Sequence, residues 1–133
     1  MVSNRDILHA FLTALEAFAN ERPIPVAWPG REFTPPESDL WLECYYQPNN
    51  PIDLGVGFNS SAVPRGLFTI VGMTRPSPTA AFDLQDLAIE LAALFPKGHA
   101  LAGRVNVVRT PYSSPYQFQP DRVGLTVSIE YSG

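Results

Sequence analysis

The chain has 133 residues, 45% of them hydrophobic and 17% charged, which is typical of one globular domain and excludes a disordered chain. A formal net charge of −4 and a single lysine, Lys97, provide no basic stripe, which argues against sequence-independent nucleic-acid binding. One cysteine, Cys44, excludes an internal disulfide and a multi-cysteine metal site. No apolar run approaches the roughly 20 residues of a membrane span, so we expect a soluble, intracellular protein.

The 14 prolines divide the chain into windows, each with one secondary-structure period. Because proline lacks a backbone donor and fixes φ, it collects in connections. The windows between the prolines are 1–22, 37–47, 65–75, 79–95, 97–110 and 121–133. Their order of helix, two strands, helix, two strands predicts one α+β domain over residues 1–133. We expect a mixed, mainly antiparallel sheet of about five or six strands flanked by two main α-helices.

The first window predicts a helix. Ser3 or Asn4 can cap its start, and Pro23 prevents its continuation. Its apolar stripe repeats at steps of three and four residues and consists of Ile7, Leu8, Phe11, Ala14, Leu15 and Phe18. Residues 24–28 follow as a candidate edge strand, because Pro25 and Pro29 bias the residues before them towards extended backbone.

Alternation of apolar and polar residues then predicts strands on both sides of a second helix. Residues 40–46 have one apolar and one mixed face, and residues 67–73 are apolar or β-branched on both faces, as in a central strand. The helix over 79–95 ends at Pro96 and Gly98, and its apolar face comprises Leu84, Leu87, Ala88, Leu91, Leu94 and Phe95. Residues 105–108 and 123–131 predict the last two strands.

Two connections are long for a small domain, residues 47–65 and 110–121. Residues 52–58 of the first are ambiguous between strand and loop. The second carries Tyr112, Tyr116 and Phe118 among three prolines. This composition suits a semi-rigid binding arm, and it equally suits a loop that folds its aromatic rings onto its own core.

Patterns that carry catalytic or metal chemistry are weak in this sequence. His9 and His99 have no acidic or cysteine partner at ligand spacing, and Cys44 alternates with aromatic residues inside a predicted strand. Gly55 and Gly57 lack the third glycine and the following helix of a nucleotide-binding fingerprint. The sequence therefore predicts no catalytic residues, no cofactor and no metal site, and favours a protein that binds or assembles.

In order and character, the segments of the chain resemble the tail-terminator family of long-tailed bacteriophages, the lambda-like minor tail proteins. The resemblance covers nearly the whole chain. It rests on the amphipathic N-terminal helix, IPVAWPGREFTPP (24–36), LWLECYY (40–46), RGLFTIVG (65–72), LQDLAIELAALFP (84–96) and two terminal strands.

The resemblance implies a structural protein of the virion tail, made in the host cytoplasm. It implies a homo-oligomeric ring, typically a hexamer, that caps the head-proximal end of the tail tube, stops its polymerisation and presents a docking surface to the head–tail connector. Its partners would be copies of itself, the tail-tube protein and the connector. DNA would only pass through the lumen, without sequence-specific binding, and no membrane would be involved.

For such a ring we expect the contacts in residues 24–36, 47–65 and 110–121. The candidate interface residues are Trp28, Phe33, Trp41, Tyr45, Phe58, Arg65, Tyr112, Tyr116 and Phe118. Two alternatives stay open. One is another head–tail joining protein of the neck or head-completion type. The other is a small hydrolase or ligand-binding domain that uses residues 112–118 as a lid.

Overall fold

The computed structural model describes residues 3–36, 40–54 and 61–133. They form two helices and one mixed sheet, which confirms the predicted α+β class and the order of helix, strands, helix, strands. The elements are α1 Asn4–Glu21, β1 Val26–Ala27, β2 Trp41–Leu54, β3 Ser61–Thr74, α2 Ala80–Leu94, β4 Ala100–Ala102, β5 Val105–Val107, β6 Tyr112–Ser113, β7 Gln117–Gln119 and β8 Arg122–Ser132.

Helix α1 begins with a capping box. The Asp6 backbone N–H donates to Ser3 Oγ over 3.2 Å, and the Ser3 backbone N–H donates to the Asp6 carboxylate over 3.1 Å. These hydrogen bonds hold the pKa of Asp6 below its usual range. The predicted apolar stripe faces the sheet, where Ile7, Phe11 and Leu15 are fully buried.

Helix α2 packs on the same side of the sheet, with Leu84, Leu87 and Leu91 buried as predicted. Thr79 occupies its N-cap position, and the Thr79 hydroxyl donates to the Asp83 carboxylate over 3.1 Å. An ion pair between Arg22 and Glu90 joins the end of α1 to α2.

The sheet is built on β2, β3 and β8, which are successive antiparallel neighbours. Strand β1 pairs parallel to β2 at one edge, as expected of an edge strand in residues 24–28. On its other side, β8 pairs in turn with β5, β6 and β7, and β4 lies outside β5. The sheet is therefore bounded by β1 and β2 at one end and by the short strands β4, β6 and β7 at the other.

The core lies between the helices and one face of the sheet. Rings meet at its centre, where Phe11 stacks on Phe68 at 4.4 Å between centroids and contacts Phe95 and Tyr131 edge-on or tilted. Even-numbered residues of β2 and β3 and odd-numbered residues of β8 supply the sheet side of this core. The opposite face of the sheet carries the alternate residues, and we call it the open face.

Much of the connection expected over residues 47–65 is strand. Strand β2 continues through Pro48 to Leu54, and β3 begins at Ser61, with a register irregularity between Asn49 and Ile52. Strand β2 accommodates Pro48 because the proline nitrogen faces away from β3, so no hydrogen bond between β2 and β3 is lost. The connection over residues 110–121 likewise holds β6 and β7.

Candidate functional site

The first candidate surface lies along the outer edge of β2. Strand β1 is only two residues long and pairs with Leu42 and Glu43, so the edge of β2 beyond Glu43 is not covered by a described strand. A groove of about 710 Å³ follows this stretch, and half-buried Trp28 lies on its wall. We call it the edge groove, lined by Leu8, Ala27, Trp28, Pro29, Gly30, Glu43, Cys44, Tyr45, Tyr46 and Gln47.

Tyr45 is the exposed aromatic of the edge groove, with 50% of its surface accessible. Its hydroxyl donates to Glu43 Oε1 over 2.7 Å, and this hydrogen bond raises the pKa of Tyr45 above its usual value. Glu43 Oε2 also accepts from Trp41 Nε1 over 3.4 Å. The carboxylate thus fixes the orientation of the Tyr45 ring on the open face of the sheet.

Trp41 is buried and has no exposed surface. The other predicted interface aromatics that the structure describes are half-buried or exposed: Trp28, Phe33, Tyr45, Tyr112, Tyr116 and Phe118. The guanidinium groups of Arg75 and Arg122 lie 5.1 Å and 5.7 Å from its ring centroid. Arg75 also donates to the Pro36 carbonyl over 3.0 Å and to the Asp121 carbonyl over 3.1 Å. Trp41 is thus enclosed by groups of its own chain, and we leave it out of the proposed contact surface.

The second candidate surface lies beside α2. Phe82, Ile89 and Phe118 are 73%, 67% and 74% exposed, which is unusual for large apolar side chains. Phe118 borders a shallow hollow of about 390 Å³ with Ala81 and residues 76–78. We call Phe82, Ile89 and Phe118 the helix-side surface.

The segment of residues 110–121 has features of both predicted roles, a binding arm and a loop that packs its aromatic rings on its own core. Tyr116 is half-buried against the core, and its hydroxyl donates to the Ala81 carbonyl over 3.2 Å. Tyr112 is 38% exposed, and the Arg109 guanidinium lies 4.6 Å from its ring centroid. One aromatic of the arm therefore anchors it, and Tyr112 and Phe118 face outwards.

Two further predicted interface residues that the structure describes, Phe33 and Arg65, line neither surface. Phe33 is half-buried in the segment after β1. Arg65 is exposed in β3, where its backbone is in register with Asn49 on β2 and Ser132 on β8. Phe58 lies outside the described residues.

The thiol of Cys44 is buried and has a perturbed pKa. Burial raises its pKa to about 11, so the thiol is protonated at neutral pH. Among the residues that the structure describes, no group of three or more His, Cys, Asp or Glu side chains could hold a metal ion. In the same part of the chain, neither helix is long and apolar enough to cross a membrane.

Two residues of the helix-side surface were missed by the sequence analysis. Phe82 and Ile89 are seven residues apart, so they lie on the same side of α2, away from the leucines that face the sheet. The sequence signal for this surface is that Phe82 and Ile89 form a second apolar pair on α2, outside the stripe of residues that is buried in the core.

The family model described as Phage tail terminator protein matches residues 6–131. The chain belongs to this family, and it is accordingly a structural protein of the bacteriophage tail. A solved structure with 24% sequence identity superimposes with a TM-score of 0.80, over 99% of this chain and 96% of that chain. That likeness shows a shared fold. Comparison with curated proteins finds no match.

Proposed function

We propose that the chain assembles into a ring at the head-proximal end of the tail tube, where it stops tube polymerisation and presents the docking surface for the head–tail connector. The observation that carries this proposal is the division of exposed aromatic groups between two opposite edges of the sheet. Tyr45 lies at the edge groove, and Tyr112 and Phe118 lie on the strands beyond β8.

A ring with cyclic symmetry requires two different patches on each subunit, because each copy contacts one neighbour with each patch. The edge groove and the helix-side surface supply such a pair. Aromatic side chains such as Trp28 and Phe118 are the groups that most often dominate interface energies. We infer a hexamer from the resemblance to lambda-like terminators.

The proposed role is one of binding and assembly, without catalysis, in the virion tail and, before that, in the host cytoplasm. The partners are other copies of the chain, the tail-tube protein and the connector. A net charge of −4 suits a channel wall along which DNA slides without being bound, because a neutral or repulsive surface does not retain the polymer.

The test is polymerisation of purified tail-tube protein with and without this chain, followed by negative-stain electron microscopy. A terminator caps one end of each tube and arrests its growth at a length set by the time of addition. Tubes that grow equally long and stay uncapped would contradict the proposal. Binding to the portal-side assembly, with no effect on tubes, would instead identify another head–tail joining protein.

A further inference from the structure

The outer edge of β2 presents backbone groups that lack a partner in the described part of the chain. The Leu42 N–H donates outwards to the Pro25 carbonyl over 2.9 Å. Alternate residues of a strand direct their N–H and C=O groups to the same side, and the β2–β3 register is regular from Trp41 to Asn49. Tyr46 therefore directs its N–H and C=O outwards too, and no hydrogen bond joins them to another described residue.

Strand β6, at the opposite end of the sheet, presents a matching pair of groups. The Ser114 N–H donates to the Thr126 carbonyl on β8 over 2.9 Å, and Tyr112 is in register with Ser128 of the same strand. By the same alternation, Ser113 directs its N–H and C=O away from β8. No hydrogen bond joins these two groups to another described residue.

We propose that Ser113 of one copy pairs with Tyr46 of the neighbouring copy, so that β6 extends the neighbour's sheet at β2. Each residue donates its N–H to the carbonyl of the other, which forms one hydrogen-bonded antiparallel pair. This inference rests on the proposed ring and specifies how its subunits meet.

The side-chain faces agree with this pairing. Tyr46 and Ser113 both lie on the helix-bearing side of the sheet, Ser113 because it is in register with the core residue Val127. In an antiparallel pair centred on them, Tyr45 lies opposite Ser114 and Gln47 opposite Tyr112, all on the open face. In this register the side chains on the helix-bearing face of one copy continue onto the helix-bearing face of the next, and those on the open face continue onto the open face.

Prolines limit the length of this pairing. Pro48 in β2 and Pro111 and Pro115 beside β6 are each two residues from the proposed pair, so they share its outward direction. Since proline has no N–H, none of the three can donate to a neighbouring strand. In this register Pro48 lies opposite Pro111 and their pair loses both hydrogen bonds, whereas the pair of Cys44 and Pro115 loses one, so the prolines limit how far pairing can spread along the edge.

Strand direction favours a ring over a two-fold dimer. Strand β6 is antiparallel to β8, β8 to β3, and β3 to β2, so β6 runs opposite to β2. When copies are related by rotation about an axis roughly parallel to the strands, corresponding strands in all copies run in the same direction. Strand β6 of one copy then lies antiparallel to β2 of its neighbour. Pairing of β2 with another β2 would be isologous and would close after two copies.

The edge groove has room for the incoming segment. Its volume of about 710 Å³ lies in the range of sites that hold small molecules, and the groove is open to solvent along β2. It lies beside Cys44, Tyr45 and Tyr46, where the neighbour's residues 113–115 would enter.

The test is disulfide cross-linking of Tyr45→Cys combined with Ser114→Cys, in a Cys44→Ala background. Residues 45 and 114 face each other across the proposed contact at a separation that a disulfide can span. Within one copy, β3 and β8 separate them by roughly 14 Å, so any disulfide must join two copies. The matched control is Tyr45→Cys with Lys97→Cys, since Lys97 is exposed, lies beyond the end of α2 and lines neither candidate surface.

After mild oxidation we expect a ladder of covalent multimers from the 45/114 pair, with at least about tenfold more product than from the 45/97 control, because apposition raises the effective thiol concentration. A mixture of the two single variants should stop at covalent dimers. If Tyr45→Cys and Ser114→Cys prevent assembly under reducing conditions, Gln47→Cys with Tyr112→Cys tests the same register.

Rings that form without cross-links above the control would overturn this pairing and leave the proposed ring intact. Efficient cross-linking of Tyr45→Cys alone would show a β2–β2 dimer and overturn the pairing as well. A wild-type chain that neither assembles nor caps tubes would overturn the proposed function itself.

Discussion

Tyr45 and Tyr112 lie in one row of the sheet, at its two opposite edges. Tyr45 is in register with Thr69 on β3, Thr69 with Ser128 on β8, and Ser128 with Tyr112 on β6. Both tyrosines are exposed. A subunit that meets its neighbours edge to edge therefore brings an aromatic ring to each side of the contact.

Replacement of Phe118 by serine should weaken assembly without unfolding the subunit. The Phe118 side chain is 74% exposed in the monomer, so it buries little apolar surface there and contributes little to the free energy of unfolding. Loss of a central interface aromatic costs about 2 kcal/mol or more, roughly a 30-fold weaker association. Light scattering over a concentration series measures the association, and urea unfolding measures the monomer.

The matched control for Phe118→Ser is Lys97→Ser, which changes an exposed residue beyond the end of α2 and away from both surfaces. It should assemble like the wild type. Equal assembly of Phe118→Ser and Lys97→Ser would remove Phe118 from the interface.

Replacement of Trp41 by alanine should destabilise the monomer. The ring is fully buried, and Arg75 and Arg122 lose the aromatic face on which they pack. Truncation of a buried tryptophan costs about 3–5 kcal/mol of unfolding free energy, measurable by urea denaturation. If Trp41→Ala unfolds like the wild type but no longer associates, Trp41 is an interface anchor after all.

Gly66→Ala should destabilise the chain more than Gly72→Ala. A Cβ on Gly66 would lie 2.5 Å from the Tyr131 hydroxyl and 2.6 Å from the Gln47 carbonyl oxygen, a backbone atom that cannot move alone. On Gly72 it would meet the end of the Leu87 side chain at 2.9 Å, which can rotate away. We expect about 1–3 kcal/mol for Gly72→Ala and more for Gly66→Ala in thermal or urea unfolding. Equal losses would contradict the packing around Tyr131.

The Cys44 thiol should make the folded state less stable at alkaline pH. Burial raises its pKa from 9.0 to about 11, so the unfolded chain loses the proton first. The contribution of the buried thiol to the free energy of unfolding is fully present below pH 9 and is lost as the pH rises towards 11. Unfolding free energies from pH 8 to about 11 should fall more steeply for the wild type than for Cys44→Ala. Both proteins keep Tyr46 and Tyr131, so parallel slopes would contradict the burial of the thiol.

The sequence predicted the helices and the central strands because their apolar residues share one uninterrupted period. The stripe of Ile7, Phe11 and Leu15 and the alternation in residues 123–131 each depend on burial against a single layer. Local patterning was sufficient for these elements.

Other features depend on residues far apart in the chain. Whether Pro48 interrupts a strand depends on which side its nitrogen faces, which is fixed only by pairing with β3. Trp41 lies on the open face and is buried because Arg75 and Arg122 cover it, an arrangement that alternation along β2 does not encode. The edge groove likewise depends on how soon β1 ends beside β2.

The most direct test of the ring is the solution mass of the purified chain by multi-angle light scattering, with and without tail tubes, and with negative-stain images of the same samples. The proposed function predicts a closed oligomer or a cap on one end of each tube. A chain that stays monomeric at every concentration and leaves tube ends bare would contradict it.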